Sequence, residues 1–305
     1  MKLSILIPTF NFVCTKLVQD LSWQCQACGL LEDYEIIVVD DGSTLSETRV
    51  QNQAINSIPH CLFQEGETNI GRSKRLNQMA AIAKYPYILI VDSDAEVCSP
   101  HFISEYLKNI TRYDVLCGGI LTSDKYAHLD NQLRFRYEKK AGNIRKLAYR
   151  NKRPYQNFTT FNIMLRKSVF DTIRFDETLN QYGYEDTMFG MELRANNVSI
   201  RHIDNPLVHT GIDSNTSFLE KTEKALQNLY LLQDRIGQGS YLLTQYRKLS
   251  RMRLDSPLRL LHHLLCGWER RNLLGRNPSL LVFKLYKLGY FITWVEKKKK
   301  TVPVM

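Results

Sequence analysis

Acidic side chains follow two apolar segments in the N-terminal part of the chain. Asp40 and Asp41 end one segment, and Asp92 and Asp94 end another. Residues two apart in an extended chain point to the same side, so Asp92 and Asp94 repel each other unless a cation lies between them. Mg²⁺ is typically bound by one or two carboxylates together with substrate phosphate oxygens. The pattern predicts a divalent-metal site for a phosphate-containing substrate, with a polar turn or a helix cap as the alternative.

Another acidic pair and one histidine adjoin apolar runs. Glu185 and Asp186 precede an apolar run, and by themselves they are typical of the first turn of a helix, where acids are favourable. His209 follows a short apolar run, and a lone histidine is more often a structural residue.

Strands that alternate with helices must position these side chains. Short apolar runs predict strands at Leu3–Pro8, Tyr34–Val39, Cys61–Phe63 and Tyr87–Val91. The intervening spacing predicts helices at Lys16–Leu31, Ser46–Ile55 and Asn69–Ala83. This alternation indicates an α/β fold with a mostly parallel sheet, in which ligands bind beyond the carboxyl ends of the strands.

The charge of the chain is concentrated in its C-terminal tail. The net charge is +10, and the residues from Arg247 onward hold 14 Lys and Arg against 3 acids, which is +11. The rest of the chain is therefore close to neutral, which argues against a nucleic-acid enzyme. The chain also contains neither a Gly-x-Gly-x-x-Gly nor a P-loop motif, so any diphosphate must be neutralised in another way.

The ordered set of motifs resembles family 2 of the inverting glycosyltransferases, the nucleotide-diphospho-sugar transferases of bacterial type with a GT-A fold. The motifs are Ser4–Asn11, Val38–Ser43, Asn69–Arg72, Asp92–Asp94 and Gly183–Asp186. The resemblance implies a single Rossmann-like domain with a mixed central sheet flanked by helices, and a C-terminal helical extension. It also implies a hexosyl- or N-acetylhexosaminyltransferase of polysaccharide biosynthesis that uses Mn²⁺ or Mg²⁺.

The resemblance assigns roles to individual positions. It implies that Pro8, Thr9 and Phe10 line the nucleotide base and that Asp41 accepts a hydrogen bond from it, which favours a UDP-sugar donor. Asp92 would contact the ribose or the metal. The other implied roles are metal ligation by Asp94 and His209, backbone approach to the donor sugar at Gly118 and Gly119, and general base catalysis by Asp186 beside Glu185.

Two positions depart from the family pattern. Relatives commonly have an Arg-Asn pair in the helix after the Asn-x-Gly motif, but here Arg75 is displaced by one residue, about 100° around a helix. Arg72 is therefore the better candidate for the donor phosphate. Relatives often have Trp where this chain has Tyr184, whose ring remains available to stack on a sugar.

Two further segments have open interpretations. The basic segment Arg134–Arg153 is either a solvated, partly mobile loop or a lid or acceptor-side surface that meets an anionic acceptor, such as a diphosphate-linked lipid. Phe158–Asn162 is either an acceptor wall or a buried strand.

The tail completes the predicted organisation. We expect a catalytic domain at 1–235 and a basic, apolar-rich helical tail at 236–305. Leu254–Leu265 and Leu280–Val295 combine Leu and aromatic residues with Lys and Arg, so we expect helices that lie on an anionic membrane surface. Packing on the catalytic domain or on a second copy of the chain is the alternative. With scattered cysteines and no apparent export signal, the predicted location is cytoplasmic, at the inner face of the membrane.

Two other functions compete with the glycosyltransferase prediction. A sugar-nucleotide pyrophosphorylase should have a Gly-rich basic loop after the first strand, which Pro8–Asn11 is not. A non-catalytic sugar-nucleotide- or membrane-binding module would not require both the metal acids and a candidate base.

Overall fold

The computed structural model describes residues 1–142, 146–179, 182–237 and 239–301. The strands are β1 Lys2–Thr9, β2 Asp33–Asp40, β3 Cys61–Gln64, β4 Tyr87–Val91, β5 Ala95–Glu96, β6 Val115–Cys117, β7 Ile120–Leu121, β8 Asn162–Arg166, β9 Ile200–His202 and β10 Leu207–His209. The helices are α1 Thr15–Ala27, α2 Ser46–Asn52, α3 Arg72–Ile82, α4 Phe102–Ile110, α5 Gln132–Ala141, α6 Leu147–Lys152, α7 Lys167–Thr172, α8 Glu185–Ala195, α9 Asn215–Leu231, α10 Gln233–Ile236, α11 Tyr241–Arg251, α12 Asp255–Leu274 and α13 Leu280–Thr301.

The chain divides into two compact units. The first unit contains Met1–Ser123, Gly142–Asn180 and Glu185–Gly211. The second contains Asp124–Ala141, Gln181–Tyr184 and Ile212–Met305. The second unit therefore includes α9, which the sequence places before the predicted boundary at 235.

The first unit is built on a mixed, mostly parallel sheet. Among the described residues, seven strands form it in the order β3-β2-β1-β4-β8-β6-β9, and β8 runs antiparallel to both of its neighbours. A smaller sheet has the order β5-β10-β7. The α/β fold class predicted from the sequence is confirmed.

Apolar side chains of the strands fill both faces of the central sheet. Ile5 and Ile7 of β1 belong to one buried cluster with α1 and α4, whereas Leu6 belongs to another with α3 and α8. Burial on both faces explains why β1, β2 and β4 are nearly continuous apolar runs rather than alternating ones. Their polar residues come at the carboxyl ends, where the chain leaves the core.

The second unit is helical. Phe218 of α9, Leu273 of α12 and Phe283 of α13 belong to one buried cluster with Leu133 of α5. Among the residues described, no helix is both long enough and apolar enough to cross a membrane.

The basic segment Arg134–Arg153 is not one solvated loop. It contains α5, in the second unit, and α6, in the first, and both Glu138 and Arg150 are buried. The loop interpretation is wrong for these helices because both pack through some of their charged residues. Arg145 lies outside the described residues.

Candidate active site

The carboxyl ends of β1 and β2 are joined to each other by backbone and side-chain hydrogen bonds. The Asp41 amide donates to the Thr9 carbonyl at 2.7 Å, and the Asn11 amide donates to Ser43 Oγ at 2.6 Å. Asn11 has φ 52°, a left-handed conformation that asparagine tolerates. The turn leaves Phe10 45% exposed at the sheet edge, while Pro8 and Thr9 stay in β1. Phe10 is thus accessible to a ligand, as its predicted base-binding role requires.

Asp41 is surrounded by donors from its own chain. Its carboxylate accepts from the amides of Ile70 at 3.1 Å and Gly71 at 3.0 Å, and from Arg75 Nε at 3.0 Å. Asp41 and Arg75 are both buried, so we call Asp41, Arg75 and the two amides the closed acid site. These bonds hold the start of α3 against β2. The hydrogen bond from Asp41 to a nucleotide base stays a prediction, and Arg75 has a structural partner that the sequence did not reveal.

Arg72, the first residue of α3, links two candidate acids. Its Nη2 lies 2.5 Å from Asp92 Oδ1, and its Nη1 lies 3.6 Å from Asp186 Oδ1. Burial alone lowers the pKa of the guanidinium, but the charges of Asp92 and Asp186 raise it above the ordinary value. Arg72 is therefore a permanent cation between the end of β4 and the start of α8.

Asp186 is held by a pair of threonines. Thr159 Oγ1 donates to Asp186 Oδ2 at 3.0 Å, and the Thr160 amide donates to the same oxygen at 3.1 Å. Thr160 Oγ1 donates to the other oxygen, Oδ1. A carboxylate has about four acceptor positions, so these donors fix its orientation and leave capacity for one further proton donor. This geometry suits a base that must be positioned before its substrate arrives.

Asp94 lies against His209, which is far from it in the sequence. The antiparallel pairing of β5 and β10 sets His209 opposite Ala95, and His209 Nε2 lies 3.1 Å from Asp94 Oδ2. The Thr210 amide also donates to the Asp94 carbonyl at 2.9 Å. A Cβ added at Gly211 would lie 2.4 Å from Asp94 Oδ2, so glycine keeps this side of the carboxylate clear.

Negative charge is in excess around these groups. Burial raises the pKa of Asp92 and Arg72 lowers it, and with the charges of Asp94 and Asp186, which also raise it, the net result is a pKa of about 6. We call Asp92, Asp94 and Asp186 the open acid cluster. Arg72 pairs with two of these carboxylates, and the third, Asp94, adds a further negative charge beside Asp92, so the cluster would be stabilised by an additional cation.

A divalent metal at the open acid cluster would have to take most of its ligands from a substrate and from water. Within the described residues, no group of three or more His, Cys, Asp or Glu side chains could hold a metal ion. Asp94 Oδ2 and His209 Nε2 supply one oxygen and one nitrogen at a contact distance. Such a pair suits Mn²⁺ or Mg²⁺ that takes its remaining ligands from water and phosphate oxygens.

Gly118 and Gly119 are required by their own packing. A Cβ at Gly118 would lie 2.1 Å from Asn162 Oδ1, and Gly119 has φ +112°. The buried Arg150 donates to the carbonyls of Gly118 at 3.2 Å and Ile203 at 3.0 Å. Arg150 thus stiffens this turn, and contact of the two glycines with a donor sugar stays a prediction.

The motif before α8 is divided between the two units. Gly183 has φ +100° and Tyr184 has φ +76°, and both belong to the second unit, whereas Glu185 begins α8 in the first. Burial raises the pKa of the Tyr184 hydroxyl to about 12, with Ser240 as its hydrogen-bond partner. Stacking of Tyr184 on a sugar stays a prediction.

The sequence matches the model of Glycosyl transferase family 2 over residues 4–174. The chain belongs to this family. The predicted enzyme class, a glycosyltransferase, is thereby confirmed at the level of the family.

One curated relative is similar to this chain over a shorter segment than the family model. The chain is 36% identical over 112 residues to the poly(ribitol-phosphate) beta-glucosyltransferase of Bacillus spizizenii. The match covers 35% of this chain and only 17% of that relative, so the chain corresponds to a small part of the longer protein.

Two solved structures support the fold. S. aureus TarS 1–349 in complex with UDP-GlcNAc has a TM-score of 0.53 at 20% identity, with 98% of this chain and 92% of that one covered. The mannosyltransferase PcManGT from Pyrobaculum calidifontis in complex with GDP-Man and Mn²⁺ has a TM-score of 0.56 at 12% identity, with 98% and 87% covered.

The first unit brings together five of the thirteen predicted site residues. Asp92, Asp94, Asp186, His209 and Arg72 form one connected group, although their sequence positions span more than half of the first unit. The contacts of Thr159 and Thr160 with Asp186, and of Arg150 with Gly118, could not be predicted from the sequence. The threonines lie in the segment Phe158–Asn162, but a run of uncharged residues gave no indication that two of them hold an acid.

Proposed function

We propose that the protein transfers a sugar from a UDP-sugar donor to a hydroxyl group of a glycan or lipid-linked glycan, with inversion and with the help of a divalent metal. The observation that carries this proposal is the open acid cluster, in which Asp94 contacts His209 while Asp186 is separately fixed by threonines. Two acids with different partners can perform two different tasks at the end of one sheet.

Asp94 and His209 would hold the metal, and Asp92 would contribute to its surroundings or contact the ribose. When bound, such an ion stabilises the negative charge that develops on a departing diphosphate. Arg72 adds a fixed positive charge beside the same acids. Thr159 and Thr160 hold Asp186 so that it can take the proton of the attacking hydroxyl, while Glu185 orients the substrate.

The donor site is proposed to be specific for a donor whose nucleotide is uridine diphosphate. The exposed Phe10 and the family position of Asp41 support it, although the closed acid site occupies much of the hydrogen-bonding capacity of Asp41. The structural neighbour TarS was solved in complex with UDP-GlcNAc, which adds support, whereas the neighbour PcManGT was solved with GDP-Man.

An anionic acceptor is the proposed partner. The relative from Bacillus spizizenii is named as a glucosyltransferase of poly(ribitol-phosphate), which is a phosphate-containing polymer. The segment Arg134–Arg153 holds nine Lys and Arg against one acid, and this positive charge would favour the approach of such a polymer. We place the enzyme at the cytoplasmic face of the cell membrane, where a lipid-linked acceptor would be reached.

The experiment is a donor screen that measures nucleoside diphosphate release from purified protein with Mn²⁺. UDP-sugars should be turned over in the presence of an anionic glycan acceptor, and excess chelator should stop the reaction. Turnover of GDP-sugars in preference to UDP-sugars would contradict the base assignment, and full activity with chelator would contradict the metal.

A binding measurement tests the metal site without reference to activity. Titration of Mn²⁺ followed by electron paramagnetic resonance, with UDP present, should show a bound ion that Asp94→Ala or His209→Ala removes. Asp171→Ala is the matched control, because Asp171 is an exposed carboxylate of α7 that pairs with Lys167. Equal Mn²⁺ binding by Asp94→Ala and wild type would reject these ligands.

A further inference from the structure

Helix α12 presents its apolar side outward. Leu260 is 60% exposed, Leu264 71% and Trp268 58%. Leu261 and Leu265 are exposed as well. Leu260, Leu264 and Trp268 follow one another at intervals of four residues, and so do Leu261 and Leu265, so all five lie along one side of the helix. We call Leu260, Leu261, Leu264, Leu265 and Trp268 the α12 apolar face.

The opposite side of α12 faces the interior of the second unit, where Arg270 contacts α13 and Leu273 is buried. His262 Nδ1 lies 2.7 Å from Glu269 Oε2, and both side chains are largely buried. Arg270 Nη1 donates to Tyr286 Oη of α13 at 2.8 Å. Leu273 is buried in the core of the second unit. Because these groups face inward, the α12 apolar face is held outward, the reverse of an ordinary surface helix.

The charge around the α12 apolar face is positive. The stretch Arg247–Arg276 contains eight Lys and Arg and two acids, which gives +6. Exposed arginines lie near both ends of α12, and they are Arg251, Arg253, Arg271 and Arg276. Throughout this stretch, which the structure describes completely, neither acid is exposed, because Asp255 is half-buried and Glu269 is buried.

Helix α13 differs from α12 in the burial of its apolar side chains. Its aromatic and apolar residues Phe283, Tyr286, Phe291 and Ile292 are buried. They are used within the second unit, and in Leu280–Val295, all of which the structure describes, Leu281 and Leu285 are the only apolar residues that are largely exposed. The membrane surface predicted for both helices therefore narrows to α12.

We infer that the α12 apolar face inserts into the surface of an anionic lipid bilayer, with the flanking arginines against the lipid phosphates. Leucine and tryptophan on one side and arginines at its borders are the features of helices that lie in the membrane interface. A two-fold contact between two copies would instead bring the two sets of arginines together, which is unfavourable. The charge pattern thus favours lipid over a second copy.

Vesicle co-sedimentation of the full chain tests this inference. Vesicles of phosphatidylcholine and phosphatidylglycerol in equal parts should bind the wild type, and high salt or pure phosphatidylcholine should weaken binding. The variant Leu264→Gln/Trp268→Gln should partition at least about tenfold more weakly, since two exposed apolar side chains lose their insertion. Arg271→Gln/Arg276→Gln should weaken binding to the anionic vesicles selectively.

The matched control is Trp23→Gln/Leu231→Gln, which makes the same chemical change at exposed residues of α1 and α9. It should bind vesicles as the wild type does. The inference would be overturned if Trp23→Gln/Leu231→Gln lost as much vesicle binding as Leu264→Gln/Trp268→Gln. It would also be overturned if the wild type did not bind anionic vesicles. A wild-type dimer in sedimentation velocity that Leu264→Gln/Trp268→Gln dissociates would overturn it too, because the face would then join two copies. None of these measurements depends on donor turnover, so failure here leaves the proposed reaction intact.

Discussion

The closed acid site and the open acid cluster both follow strands of the same sheet, but their charges are balanced in different ways. Asp41 has two backbone amides and Arg75 as partners, and the group is buried. Asp92, Asp94 and Asp186 remain partly exposed; Asp92 and Asp186 share the guanidinium of Arg72, and Asp94 contacts His209. A buried charge must be fully paired, whereas a partly exposed excess of charge can be completed by a ligand.

This difference separates a structural role from a chemical one. Changes in the closed acid site should alter the free energy of unfolding, and changes in the open acid cluster should alter turnover. The predictions below test this separation, starting from the largest expected effect.

Asp186→Asn should lower turnover by about 100-fold to 10,000-fold, the usual contribution of a positioned base. Asparagine keeps the shape and can still bond to Thr159 and Thr160, but it cannot take up the proton of the acceptor. Donor affinity should change little. Steady-state kinetics with UDP release, together with calorimetry of UDP binding, measures both quantities.

Glu185→Gln is the neighbouring control, and its effect on turnover should be smaller. A loss of UDP binding in Asp186→Asn would move Asp186 into the donor or metal shell. Unchanged turnover would leave it as an acid at the start of α8.

Asp41→Asn should lower the free energy of unfolding by about 3–5 kcal/mol, because the buried Arg75 loses its charge partner. Denaturant unfolding measures this loss, and the second change Arg75→Gln should recover part of it by removing the unpaired charge. If stability is unchanged while UDP affinity falls, Asp41 acts on the base and the proposed separation fails.

His202 should make stability depend on pH without affecting the chemistry. Burial lowers its pKa to about 4 from an ordinary value of 6.5. The folded state therefore holds His202 neutral where the unfolded state binds a proton, so stability is full above about pH 6.5 and is lost as the pH falls toward 4. The loss amounts to roughly 3 kcal/mol.

Urea unfolding at several pH values tests this dependence. His202→Gln can keep both bonds, because its side chain can accept from Arg150 Nη1 and donate to the Pro154 carbonyl as His202 does. The variant should have a smaller stability loss over this pH range. If the free energy of unfolding changed with pH in the same way in wild type and variant, His202 would be excluded as the source of the pH dependence.

Thr160→Val should lower kcat by about tenfold, the smallest of these effects, and leave the donor KM unchanged. Valine removes the hydroxyl that donates to Asp186 Oδ1, while the backbone amide of residue 160 still holds Oδ2. Thr160→Ser should restore turnover, and Thr172→Val on α7 is the matched control. A rise in KM with unchanged kcat would show that Thr160 serves binding rather than the base.

Much of the first unit could be predicted from local sequence. The strands β1, β2 and β4 are apolar because both of their faces are buried, and α3 was expected from helical spacing within a few residues of its observed bounds. The strand-end acids followed from the same pattern, since ligands of parallel sheets lie beyond the carboxyl ends. His209 and Asp186 entered the predicted site only through the family resemblance.

The partners of these acids could not be predicted in the same way. Thr160 meets Asp186, and Asp94 meets His209, across long sequence separations. Uncharged threonines carry no local signal of such contacts. Arg75 looked like a displaced phosphate ligand until its bond with Asp41 was seen.

The sequence by itself determined the α/β alternation, the acids at the strand ends and the concentration of positive charge in the tail, because these are properties of neighbouring residues. Only the tertiary structure decided which acids are satisfied internally and which of two similar helices, α12 or α13, keeps its apolar side exposed. Both outcomes depend on which groups meet in space, since burial and pairing energies are set by neighbours that the chain brings together from distant positions.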